Sequence, residues 1–287
     1  MGKFSFKRSS GPPRRAAEAP PPPYQPNVSS SEAGPSTSTP DSRSSHEQPV
    51  AYEDVKHPPP SGDPPPFACI ILGNTDRISI LRLPPHLVPA LSDAIVSAWP
   101  QGISRGEAKE QGWEWKLRGM PMRDYLVARR IVFALLTTLY AAGWHIRGSA
   151  NLSKEDLGKD SVFLRAGPPC TKRFFAVGLC PWDRVRIVDP PSEEVRNAFL
   201  RVVRTWHKGI QEIKEKDSAC LDIKLRGSPF GTGDRGEQAS ARLLMLDLLG
   251  VLETLGYELV VCMQLTTSFA EEDEQPQTWL FANAAPV

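Results

Sequence analysis

No stretch of this sequence stays apolar long enough to cross a bilayer. The longest, "IVFALLTTLYAAGW" (131–144), falls well short of a span and is preceded by Arg129 and Arg130; a membrane helix needs about 20 such residues, so a buried core helix is the reading. Charge of one sign is also lacking. The formal net charge is +1, so no global field favours nucleic acid or an anionic membrane. The five cysteines (Cys69, Cys170, Cys180, Cys220 and Cys262) form no C-x-x-C pair, their number is odd, and the N-terminus has no apolar signal core. A reduced chain in the cytoplasm is expected, without a disulfide framework. The five histidines are scattered without zinc-ligand spacing, so no metal and no other cofactor is expected. Neither a G-x-S-x-G elbow, nor H-E-x-x-H, nor a Walker loop occurs. The expectation is therefore a protein that is not an enzyme.

What the sequence does have is proline, unevenly spread. Sixteen of its 29 prolines lie in residues 1–66, among runs such as "SSSEAGPSTSTPDSRSS". Such a segment cannot bury enough apolar surface to offset the entropy of ordering it, so 1–66 is expected to be a disordered tail. Within it, "APPPPYQP" (19–26) contains a PPxY motif whose defining residues are Pro21, Pro22 and Tyr24. Proline runs favour an extended polyproline II helix that docks into an aromatic groove at little entropic cost, and the tyrosine adds a large amphipathic contact. WW domains recognise that geometry, and the motif resembles the ligand of WW-containing ubiquitin ligases of the HECT class. The plainer alternative is a proline-rich spacer. The first fifteen residues carry Lys3, Lys7, Arg8, Arg14 and Arg15 with no acid, and Gly2 is a candidate for myristoylation, although Phe6 stands where the usual Ser or Thr belongs. A lipid on Gly2 with these cations as second signal would give a peripheral membrane contact. A frayed basic start is the alternative.

Past Phe67 the chain repeats itself. "DRISILRLPP" (76–85) answers "DRVRIVDPP" (183–191), "WPQGI" (99–103) answers "WHKGI" (206–210), and "KLRGMP" (116–121) answers "KLRGSP" (224–229). "ARRIVFALLTTLYAAGW" (128–144) answers "ARLLMLDLLGVLETLGY" (241–257), in the same order. Internal repetition at this length predicts one structural unit built twice, over 67–167 and 172–283. Each unit reads as ββαβαββ. "WEWKLR" alternates apolar Trp113, Trp115 and Leu117 with polar Glu114, Lys116 and Arg118, and Leu221, Ile223 and Leu225 alternate likewise with Asp222, Lys224 and Arg226. Both central strands are expected to be half-buried. The fold class is α+β: tandem two-layer sandwiches, each a mainly antiparallel sheet with two helices on one face.

The doubled "KLRG-P" is expected to mark a turn: Gly119 and Gly227 end a strand, and Pro121 and Pro229 lead into a helix. The polar sheet face projects Arg77, Lys116 and Arg118 in one unit and Arg184, Arg186, Lys224 and Arg226 in the other. These are candidate anion-binding residues for RNA or phospholipid phosphates. Nucleic acid is the weaker candidate, because no aromatic side chain stands among the cations to stack bases. The plainer reading is that Asp76, Asp183, Glu114 and Asp222 neutralise them across the strands. "GTGDRG" (231–236) matches a dinucleotide fingerprint, but its first glycine comes late after the strand and its counterpart "MPMRDY" has no glycine, so a connecting loop is expected.

The set "DR-I-I--PP", "W--GI", "KLRG-P" and "GW" resembles a mostly fungal family of uncharacterised eukaryotic proteins with PPxY-bearing tails and a tandem α+β repeat. The likeness covers 67–283 and implies architecture without catalytic residues. The tail is also similar to that of viral matrix proteins, which pair a basic start with PPPY; the repeats share no such likeness. The functional expectation is an interaction protein, an adaptor whose tail binds a WW-domain ubiquitin ligase. The alternative is a module that binds an anionic ligand on the basic sheet faces.

Overall fold

Alternating strands and amphipathic helices build the same unit twice. The computed structural model describes residues 66–73, 75–152, 161–180, 182–217, 219–231, 235–265 and 277–284. The first unit runs β1 (Phe67–Leu72), β2 (Arg77–Leu81), α1 (Val88–Ala98), β3 (Ile103–Lys109), β4 (Gly112–Leu117), α2 (Tyr125–Ala141), β5 (Trp144–Ala150) and β6 (Ser161–Ala166). The second runs β7 (Phe174–Cys180), β8 (Arg184–Val188), α3 (Glu193–Val203), β9 (Ile210–Asp217), β10 (Cys220–Leu225), α4 (Arg235–Thr254), β11 (Tyr257–Gln264) and β12 (Gln277–Asn283). The sheets have the matching orders β3-β4-β2-β1-β6-β5 and β9-β10-β8-β7-β12-β11, antiparallel throughout.

The expected class and duplication hold, with one strand more in each unit. The addition is β3 in the first and β9 in the second. Both are edge strands, mostly exposed and rich in charge. An edge strand tolerates such residues because only one side of its backbone is paired and its side chains need not enter the core, so no alternation of apolar residues betrays it.

Helix ends follow their sequences. Asp124 caps α2 by accepting from the backbone N–H groups of Leu126 and Val127, at 2.8 and 3.0 Å; Ser192 caps α3 through Val195 N–H; both satisfy donors that a helix start leaves open. Pro89 sits in the first turn of α1, where its missing N–H costs nothing. Both long helices stop at a glycine with positive φ, Gly143 and Gly256 (φ 81° each).

The layers are not two separate sandwiches. The inner face of the first sheet (Ile70, Ile78, Ile80, Trp115, Leu117) packs on α1 and α2, and the Trp115 indole donates to Ser92 Oγ. The same buried cluster continues through α2 into Phe174, Ala176, Val188, Cys220, Leu280 and Ala282 of the second sheet. The other face of that sheet carries Phe175, Val177, Val185, Ile187 and Ile223 onto α3 and α4. The stack is therefore sheet, helices, sheet, helices, with α2 shared. One expectation falls with this: β10 is not half-buried. Asp222, read as facing water, is 2% exposed because α2 covers that face. Among the described residues no helix is long and apolar enough to cross a membrane.

Candidate functional site

The repeated "W--GI" and "KLRG-P" form one clasp, made twice. In the first unit Gly102 N–H donates to Trp99 C=O, Arg118 N–H to Gly102 C=O, and the Trp99 indole N–H to Arg118 C=O at 2.9 Å. In the second, Gly209, Trp206 and Arg226 repeat all three bonds, the indole again at 2.9 Å. Gly102 and Gly209 (φ 74° and 81°) and Gly119 and Gly227 (φ 69° and 89°) occupy the left-handed region that favours glycine. The tryptophan thus ties the end of the first helix to the end of the central strand. The repeated letters are the parts of a turn.

The candidate cations lie on the outer faces of the two sheets, and carboxylates come with them. Lys116 faces Asp76 at 3.9 Å, and its counterpart Lys224 faces Asp183 at 3.5 Å. Arg77 pairs with Glu114, which also accepts from Ser79 Oγ and lies 3.7 Å from Lys109 Nζ. In the second unit Asp222 takes the place of Glu114: Arg184 reaches it at 3.3 Å, Arg186 at 3.0 Å and Lys216 at 3.8 Å. Arg118 and Arg226 are exposed, and their carbonyls accept the indoles. Equivalent faces differ in setting. That of the first sheet is open, whereas the second lies under α2, with Arg186 and Asp222 6% and 2% exposed.

The seam between the units gathers buried polar side chains that the sequence did not bring together. Arg129 is fully buried. Its guanidinium donates to Tyr125 C=O at 2.6 Å and to Thr278 Oγ1, and lies 3.3 Å from the Tyr125 ring centroid; Arg186 approaches the same ring at 4.6 Å. Burial lowers the pKa of Arg129, and Tyr125 works the other way. Two arginines sharing one aromatic ring offset part of their desolvation through its electron-rich faces. The Tyr125 hydroxyl lies where a Cβ on Gly178 would stand, 1.6 Å away, so glycine is required there. At the rim, Arg130 makes hydrogen bonds to both Asp189 oxygens (Nε to Oδ2 2.9 Å, Nη2 to Oδ1 2.8 Å) and to Asp217 at 2.8 Å. The signal in the sequence was the pair Arg129-Arg130 inside an apolar helix, which reads only as the flank of that run.

The glycine-rich loop offers a phosphate little. Its residues 232–234 lie outside the described residues, but behind it Glu237 of α4 is 5% exposed, accepts from Ser228 N–H at 2.9 Å and pairs with Lys208. A carboxylate beside the loop thus already holds the Ser228 N–H and the Lys208 ammonium. Among the described residues no group of three or more His, Cys, Asp or Glu side chains could hold a metal. Gly2, Pro21, Pro22 and Tyr24 lie outside the described residues.

Neither a curated protein nor a solved structure shows a significant match to this chain. One domain family, whose model carries no functional description, matches twice, over residues 66–165 and 173–282. Those limits bracket the two sheet-and-helix units, and together they cover more than half of the sequence: the chain belongs to this domain family and carries its domain in tandem.

Proposed function

We propose that the protein is a non-enzymatic adaptor whose N-terminal tail recruits a WW-domain partner, a HECT-class ubiquitin ligase, through Pro21, Pro22 and Tyr24. The observation that carries this reading is the sequence "APPPPYQP" itself: a proline run preorganised for an aromatic groove, closed by a tyrosine at the PPxY spacing. The tandem unit then serves as the scaffold to which the partner is brought, in the cytoplasm, with Gly2 and the basic first residues supplying a peripheral membrane contact. The PPxY tail and fungal distribution of the resembled family belong to the same proposal.

Support against the anionic-ligand alternative comes from the sheet faces. Lys116, Lys224, Arg77 and Arg184 each lie within 4 Å of a carboxylate, so an RNA or phospholipid phosphate would have to displace that partner before gaining from the cation. The test is capture of the full chain on immobilised WW domains. Tyr24→Ala should abolish it; capture of the variant at wild-type level removes the adaptor reading. Binding to RNA or anionic vesicles that is lost in Lys116→Glu plus Lys224→Glu would put the alternative in its place.

A further inference from the structure

The contact between the two units joins unlike faces. The outer face of α2 in the first unit meets the outer face of the sheet in the second. Because the units are copies, the chain retains one unused example of each: the outer face of α4 and the outer face of the first sheet. Nothing among the described residues covers either. Leu243 and Leu246 of α4 are 61% and 60% exposed, and on the sheet Phe67 and Ile71 are 52% and 36% exposed. Repeat arrays ordinarily end in polar outer faces, and here both ends are partly apolar.

The unused faces can be compared with the seam position by position. The strand ladders fix the correspondence: Ile71 pairs with Ser79 and Ser161 as Gly178 pairs with Arg186 and Thr278. In the internal seam Tyr125 fills the space over Gly178. At the unused faces the helix has the smaller Gln238 and the sheet the larger Ile71, so volume moves from one side to the other. Arg129 bonds to Tyr125 C=O and to Thr278; Arg242 makes the matching bond to Gln238 C=O at 2.8 Å, and Ser161, 8% exposed and hydrogen-bonded with Cys69, stands where Thr278 does. Tyr140 packs edge-on to Phe174, 5.2 Å between centroids, beside Ala282 in the ladder. Their counterparts are Glu253 on the helix and Phe67 beside Arg165 on the sheet, an opposite-charge pair across the joint. One pair is not reproduced: Arg130 with Asp189 becomes Leu243 with Arg82, which cannot form the ion pair of the seam.

We infer that the protein associates head to tail, with α4 of one copy seated on the first sheet of a second copy as α2 seats on the second sheet within the chain. A contact between unlike faces leaves one of each kind open, so it extends into a chain of copies or closes into a ring. The occupant is a second copy because its open faces carry counterparts of the seam positions, with the Tyr125–Gly178 volume exchanged and the Glu253–Arg165 charges opposed.

Sedimentation of the full chain over a wide concentration range tests this. The mass should rise beyond the 31.7 kDa of one chain. Glu253→Arg and Arg165→Glu should each weaken association about tenfold, and combining them in one chain should restore it. Leu246→Glu alone and Ile71→Glu alone should be monomeric, but mixed they should form a one-to-one pair and nothing larger, because each retains the face that the other lacks. All four positions are exposed, and unchanged circular dichroism and melting of the monomers exclude misfolding as the cause. A wild-type chain that stays monomeric overturns the proposal, as does association that survives either apolar-face variant. A mixture that fails to pair overturns it too, because each variant keeps the face that the other lacks.

Discussion

The helices α2 and α4 hold the same place in the two units and share a sequence pattern, yet they live in different surroundings. On α2 the buried side chains run from Ala128, Ile131, Leu135 and Leu139 on the side of its own sheet to Arg129, Phe133, Leu136 and Tyr140 on the other. On α4 only the first kind is buried: Ala241, Leu244, Leu248 and Leu252, with Met245 beside them. The positions facing the unit's own sheet are apolar in both helices, while the outer ones have diverged, Phe133 to Leu246 and Tyr140 to Glu253. The comparison separates two demands on one helix. Folding of a unit constrains one stripe; docking onto a neighbouring sheet constrains the second.

The largest expected consequence is at Phe133, 8% exposed and on the same helical face as Arg129. Phe133→Ala removes a buried aromatic from the joint between units and should cost about 3–5 kcal/mol. Leu246→Ala, at the matching site on α4 but 60% exposed, should stay within about 0.5 kcal/mol. Denaturant unfolding of both variants, at concentrations where the chain is monomeric, measures the difference. Equal losses would mean that α4 is covered as α2 is.

Next in size is the exchange between Gly178 and Ile71. Giving the second sheet the first sheet's residue, Gly178→Ile, drives a Cβ into the Tyr125 hydroxyl, which lies 1.6 Å from where that atom must stand. The loss should be about 1–3 kcal/mol or more, depending on how far α2 can shift. The reciprocal trimming, Ile71→Ala on an open face, should cost under about 1 kcal/mol. If Tyr125→Ala recovered the Gly178→Ile variant, the clash would be placed at this contact rather than in the strand.

These contrasts show what could be read in advance and what could not. The turns were legible because Gly102, Gly119 and Pro121 recur with their partners, and each has a local reason to be what it is. The core stripes were legible from period alone. The strands β3 and β9 were not, since a charged edge such as "IKEKD" has no buried side to alternate with. The seam was hidden for a different reason. Asp222 and Arg186 look like solvent-facing residues of an alternating strand, and the rule equating polar with exposed fails when polar groups are taken out of water together and pair with one another. Thr278 and Gly178 look unremarkable until Arg129 and Tyr125 arrive from some 150 and 50 residues away in sequence, respectively, and no local pattern carries that information. The PPxY motif is the reverse case: fully legible as a sequence, and outside the described residues.

The smallest expected effect distinguishes the rim of the seam from its centre. Arg130 is about one-third exposed, so its bonds to Asp189 and Asp217 are partly screened, and Arg130→Ala should cost about 1 kcal/mol at neutral pH. The pH dependence identifies the source. Burial alone would raise the Asp217 carboxyl, but Arg130 and the Ala219 backbone N–H outweigh it and hold the group below its ordinary value of 3.8. A carboxyl depressed on folding contributes stability that is complete above its unfolded value and is lost as the pH falls through the folded one. The melting difference between wild type and Arg130→Ala should therefore be constant above about pH 5 and shrink below 3.8. Substituting Leu243, the α4 counterpart, by alanine should give no such slope, because a leucine carries no charge to pair with a carboxylate; a difference for Arg130→Ala that persisted unchanged at pH 2 would assign its effect to packing of the side-chain stem instead.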